Sequence, residues 1–133
     1  MLQWKFVLET TDFLHEQGIH VAMETCGFAD FKIYQSVVSS VDLIIMDIKH
    51  LDSEKHKQGT GQKNEKILEN FQYLCESKKP CIIRTPLIPG FNDEPKLLQE
   101  IEELARKAPG LMKYEYMPYH ALGTGKLESL GIK

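Results

Sequence analysis

The sequence predicts an α/β fold built around a parallel sheet, and three observations carry that prediction. Amphipathic stripes at helical spacing alternate with short apolar runs along all 133 residues. That order, helix then strand four times over, is the pattern of parallel strands joined by helical crossovers. No linker, low-complexity tract or shift in composition interrupts it. Finally, every short apolar run ends in polar or ionisable residues, as parallel sheets do where they carry chemistry.

The elements follow in order. Phe6, Val7, Thr10, Phe13 and Leu14 form a helical stripe, and Gly18 is placed to stop it. Ile19 to Thr25 reads as a strand ending in Glu24-Thr25-Cys26-Gly27, and Phe31 to Val38 as a short helix. The next strand, Asp42 to Lys49, contains four consecutive large apolar residues, the pattern of a strand buried on both faces. Asp47 and Lys49 close it two residues apart, so both side chains leave on one face. Ile67, Leu68, Phe71, Leu74 and Cys75 mark another helix, with Asn64 placed to cap it. Pro80 opens the strand Cys81 to Arg84, which runs into Thr85-Pro86-Leu87-Ile88-Pro89-Gly90. Leu97, Leu98, Ile101, Leu104 and Ala105 repeat the helical stripe, capped by Asn92 or Asp93, with Pro95 in the first turn and Pro109-Gly110 as the stop. Met112 to Met117 is a last strand, followed by Pro118-Tyr119-His120 and a polar, Gly-rich tail.

Four strands are too few to close a barrel. An open doubly wound sheet and a piece of a βα-barrel both fit. The first helix follows no strand and no helix closes the tail, so residues 1–133 read as a single fragment of a larger domain.

Composition narrows the class. Hydrophobic content of 42% and charged content of 26% suit a soluble globular protein, and a net charge of −3 gives no reason to expect nucleic acid or a membrane surface as partner. There is no apolar run of membrane-spanning length and no signal-peptide pattern. Cys26, Cys75 and Cys81 are odd in number and share no CxxC-type spacing, which points to a reducing, cytoplasmic setting.

The strand ends converge on one chemistry. They present Glu24-Thr25, Asp47-Lys49-His50, Arg84-Thr85 and Tyr119-His120. Lys49 and Arg84 can hold a carboxylate, Arg84 bidentately. Asp47 and Glu24 can accept hydrogen bonds from ribose hydroxyls or an ammonium, or hold a cation. A zwitterionic, nucleoside-bearing ligand would use both signs. No Ser/His/Asp arrangement stands among them. Gly59-Thr60-Gly61 follows no predicted strand and is a weak phosphate-loop signal.

Four stretches, His20 to Gly27, Asp42 to Asp52, Arg84 to Asp93 and Tyr116 to Gly123, together resemble glycyl-radical-enzyme activating enzymes of the radical S-adenosylmethionine (SAM) superfamily, of the pyruvate formate-lyase activating type. The resemblance spans essentially the whole chain. It implies a partial TIM-like (βα)6 barrel holding SAM and a [4Fe–4S] cluster, reduced by a donor such as flavodoxin or ferredoxin. A deoxyadenosyl radical would then take hydrogen from a backbone glycine of a partner of formate-lyase, dehydratase or decarboxylase type. By motif position, Glu24 and Thr25 would lie near the methionyl ammonium or, with Asp47, a monovalent cation. Asp47 would contact ribose or that cation, Lys49 the SAM carboxylate, and Arg84 and His120 the nucleoside end. The family commonly carries Asp at the position of Glu24. The stretch His50 to Asn64, with His56 and Gly59, would face the partner peptide or form a plain solvated loop. The family's CxxxCxxC and Gly-Gly-Glu-Pro motifs are absent, and no other cysteine substitutes. The expectation is therefore a C-terminal portion without catalysis by itself and with an unpaired edge at its first strand. The alternative is a stand-alone SAM- or partner-binding module.

Overall fold

A computed structural model describes residues 2–118, together with 129 and 131. Its elements are α1 (Trp4–Glu16), β1 (Ala22–Thr25), α2 (Phe31–Ser40), β2 (Leu43–Asp47), α3 (Ser53–Thr60), α4 (Glu65–Ser77), β3 (Cys81–Pro86), α5 (Pro95–Ala105) and β4 (Leu111–Met117). The strands form one sheet in the order β1-β2-β3-β4, every pairing parallel. Within the described sheet β1 pairs only with β2, so it forms an edge. No helix among the described residues is long and apolar enough to cross a membrane.

Burial decides between the two architectures left open by the sequence. β2 is not buried on both faces: Ile44 and Met46 are fully buried, whereas Leu43, Ile45 and Asp47 are only half-buried. β3 alternates likewise, with Cys81, Ile83 and Thr85 buried. The buried set packs with Tyr34, Val37, Val38, Ile67, Phe71, Leu74, Leu97 and Ile101 from the helices into one core. Helices α1, α2, α4 and α5 thus cover one face, and the other is bare. A doubly wound sheet would be covered on both, so the arrangement is a segment of a TIM-like barrel.

Four local readings change. On α1 the stripe that faces the core is Trp4, Val7, Leu8 and the buried Thr11, while Phe6 and Phe13 are exposed on the neighbouring stripe. The region after β2 contains α3, a helix with no apolar stripe; Asp52 starts it, its Oδ1 accepting the Lys55 N–H at 2.8 Å. Asn64 sits at the N-terminus of α4 without capping it, and its Nδ2 donates instead to the carbonyls leaving β2. Asn92 and Asp93 do not cap α5, whose N-cap position is Glu94 with Pro95 in the first turn; instead they accept from Ile88 N–H and Gly90 N–H and close the preceding loop.

At the lower end of the sheet, Asp42 Oδ2 accepts from the Val21 N–H and from His15 Nε2, each at 2.8 Å. These bonds, the Val21 amide first, hold its carboxyl below the usual range.

Candidate functional site

The bare face collects the chemistry. Period-two alternation and the register Glu24↔Ile45, Asp47↔Arg84 and Arg84↔Glu115 place Glu24, Asp47, Arg84 and Glu115 side by side on it. Arg84 bridges two strands: Nη1 meets Glu24 Oε1 and Nε meets Glu115 Oε2, both at 3.1 Å. Lys113 Nζ holds the other oxygen of Glu115. The Glu115 carboxyl is accordingly lowered, by Lys113 first and then Arg84. Lys49 Nζ donates to Asp47 Oδ2 at 2.9 Å, in a half-buried pair.

Asp47 Oδ1 stands apart from this pairing. It is buried and has no hydrogen-bond partner. A buried carboxylate oxygen left unpaired is costly, and its residue lines a cleft of about 180 Å³ together with Cys26, Phe28, Lys49, His56 and Ile67 among others. His56 Nδ1 lies 2.6 Å from the Gln62 carbonyl. A carbonyl only accepts, so that nitrogen is the donor. A second cavity of about 340 Å³, between the ends of β3 and β4, is lined by Arg84, Glu115, Tyr116, Met117 and Pro118. Donors and acceptors of both charge signs thus line the two recesses, Asp47 and Lys49 in the first and Arg84 and Glu115 in the second.

Of the residues singled out from sequence, the fold brings Glu24, Asp47, Lys49 and Arg84 together. Thr25 is different. Its register partner is the core residue Met46, so its side chain leaves on the helix-covered face, and Oγ1 accepts the Gly27 N–H at 3.0 Å. Of the three residues expected near a monovalent cation, Glu24 is engaged by Arg84 and Thr25 by Gly27, while Asp47 pairs with Lys49. His120 lies outside the described residues. Sequence reasoning missed Lys113 and Glu115. Their own alternation, set in register with Arg84, was the signal available. His56, expected from the sequence to face the partner peptide or lie in a solvated loop, is buried on α3 and lines the cleft.

His50, just past β2, is buried. Its Nδ1 accepts the Asp52 N–H at 2.9 Å, and its ring lies 5.5 Å from that of Phe91, centroid to centroid. Burial first, then Lys55, lowers its pKa below the usual 6.5. Above 6.5 the ring is neutral in both folded and unfolded chains. Below it the unfolded chain protonates first, so this contribution to stability should drain away as pH falls from 6.5. Thermal unfolding at pH 7.5 and 5.5 should show a drop that His50→Gln reduces; an equal drop in the variant would rule His50 out as its source.

The cysteines do not assemble a cluster site. Cys26 is exposed at the end of β1, Cys75 lies on α4, and Cys81 is buried at the opposite end of the sheet, its thiol pushed up to about 11 by burial. Among the described residues no group of three or more His, Cys, Asp or Glu side chains could hold a metal ion.

Comparison with known proteins assigns the chain to a family. The sequence model described as the radical SAM superfamily matches residues 1–108. The isethionate sulfite-lyase activating enzyme of Desulfovibrio desulfuricans is 38% identical over 98% of this chain and 42% of its own length. The pyruvate formate-lyase-activating enzyme of Staphylococcus aureus is 36% identical over 99% of this chain and 55% of its own length. A crystal structure of a domain of the pyruvate-formate lyase-activating enzyme from Bacteroides vulgatus superposes with a TM-score of 0.82 at 27% identity, covering 99% of this chain and 89% of that one. The chain thus spans about half the length of the curated relatives it matches. With that match extending from the first residue through α5, the chain belongs to the radical SAM superfamily.

Proposed function

We propose that this chain forms the SAM-binding wall of an activating enzyme that installs a radical on a backbone glycine of a glycyl radical enzyme. Residues 1–133 would be one part of a single radical SAM barrel domain. Superfamily membership implies SAM and a [4Fe–4S] cluster, and the cofactor pair supplies the radical chemistry that names the superfamily. The three cysteines do not fit the cluster, so the contribution argued for this chain is binding and orientation. The observation that carries the reading is Asp47: one oxygen holds Lys49, the other is buried without a partner, and the residue lines a cleft.

A zwitterionic ligand with a nucleoside suits this arrangement. Lys49 would take the methionyl carboxylate, and Asp47 Oδ1 a ribose hydroxyl or a monovalent cation. Arg84, held between two carboxylates, would face the nucleoside end together with His120. Glu24 would serve the methionyl ammonium, Thr25 contributing through its backbone because its hydroxyl is turned away. A cation shared by Glu24 and Asp47 would require Glu24 to leave Arg84, which its exposed position allows. The partner class follows from the relatives, named for activating isethionate sulfite-lyase and pyruvate formate-lyase; a flavodoxin or ferredoxin would supply the electron.

Calorimetric titration with SAM tests the reading. The protein should bind it, and Lys49→Met should weaken binding by about tenfold or more, the effect of removing a charge-assisted contact. Undetectable binding, or unchanged affinity in Lys49→Met, would overturn the assignment.

A further inference from the structure

β2 ends at Asp47, yet the backbone beyond it is held bond by bond. Ile48 C=O accepts from Thr85 Oγ1 at 3.0 Å, and Lys49 C=O from Asn92 Nδ2 at 2.8 Å. Asn64 Nδ2 donates to both of the next two carbonyls, His50 at 2.9 Å and Leu51 at 2.8 Å. Four consecutive carbonyls are therefore satisfied by three side chains from β3, the loop before α5 and the start of α4. Thr85 and Asn92 are fully buried, and Asn64 is 2% exposed.

The anchors are themselves anchored. Because a carbonyl can only accept, the Thr85 hydroxyl hydrogen goes to Ile48, and Oγ1 accepts from Tyr114 O–H at 2.9 Å. Asn92 also donates to Pro86 C=O and accepts from Ile88 N–H. Burying three uncharged polar side chains is costly unless every bond is made. A turn exposed to water would have satisfied these carbonyls at no such cost.

We infer that Thr85, Asn92 and Asn64 are positioning residues for Lys49, fixing the backbone from which its ammonium is presented to an anionic ligand. The inference rests on the reading of Lys49 as the carboxylate-holding residue. Lysine loses rotamer freedom when ordered, so its affinity depends on how much geometry is set beforehand. Its head is held by Asp47 and its backbone carbonyl by Asn92, leaving only the carbon stem free. Without the three anchors the exit from β2 would move, and the ammonium with it.

Two ligands separate positioning from general stability: SAM, and 5′-methylthioadenosine, which keeps the nucleoside and lacks the amino-acid end. Thr85→Val, an isostere without the hydroxyl, and Asn92→Ala should each raise the Kd for SAM about tenfold and leave that for 5′-methylthioadenosine within about twofold. Thr85→Ser, which keeps Oγ, should behave as the parent protein. Parallel weakening of both ligands, or no weakening of either, would overturn the inference while a loss in Lys49→Met leaves the binding assignment standing. A parent protein that binds no SAM would overturn both. Should Asn92→Ala fail to fold, the isosteric Thr85→Val decides.

Discussion

Arg84→Met should fold and yet lose most of its affinity for SAM. In the native chain one guanidinium separates Glu24 from Glu115 and shares their face with Asp47. Methionine preserves the apolar stem and removes the charge, leaving three carboxylates facing a ligand that brings its own. We expect affinity to fall by about tenfold or more, because the positive charge that offsets these carboxylates is lost where the ligand's own carboxylate must approach. The melting temperature should change little, since half-exposed ion pairs contribute modestly. Arg84→Lys should recover only part of the binding, because an ammonium cannot engage two carboxylates as a planar fork does. Calorimetry and thermal unfolding on the same preparations check both halves. A large stability loss with unchanged affinity would reassign Arg84 to holding the sheet together.

The largest expected loss of stability comes from Asn70→Ala. Asn70 is fully buried on α4, and its Nδ2 reaches across to Gly27 C=O at 2.7 Å and Ala29 C=O at 3.1 Å. Those two acceptors shape the turn between β1 and α2, where Gly27 takes φ +70° and its bare Cα packs against Met46. Alanine would orphan both carbonyls and open a small void. At roughly 1–2 kcal/mol for each lost bond the cost should be about 3 kcal/mol, or a fall of roughly 10 °C in a chain of this size. Urea unfolding measures it directly; a cost below about 1 kcal/mol would mean the turn holds its shape without Asn70. SAM affinity should drop with it, because the same turn carries Cys26 and Phe28 into the cleft.

What was legible in the sequence was whatever repeats. The stripes of α4 and α5 and the apolar run of β2 gave the element order, and the polar residues closing each run pointed to Glu24, Asp47, Lys49 and Arg84. Two kinds of information had no periodic signature. One is which of two neighbouring stripes meets the core: Phe6 and Phe13 on α1 are more apolar than Thr11, yet Thr11 is buried. The other is the side chain that serves a distant backbone. Asn64 and Asn92 look like caps because the sequence shows only the residues beside them, whereas their acceptors lie 14 and 43 positions away. The polar helix α3 was unreadable for a related reason: it rests on Asp52 and on the packing of Gly59 under Phe91, not on an apolar face.

A sheet covered on one side and bare on the other keeps two separate accounts of mutation. In a scan of every substitution scored once for abundance and once for ligand capture, neighbouring positions of a strand should answer to different screens. Met23, Ile44, Met46, Cys81 and Ile83 should dominate the first, and Glu24, Asp47, Arg84 and Glu115 the second. The two profiles should run out of phase by one residue along every strand. Such a protein can drift toward a new ligand at every second position while its interior stays unchanged.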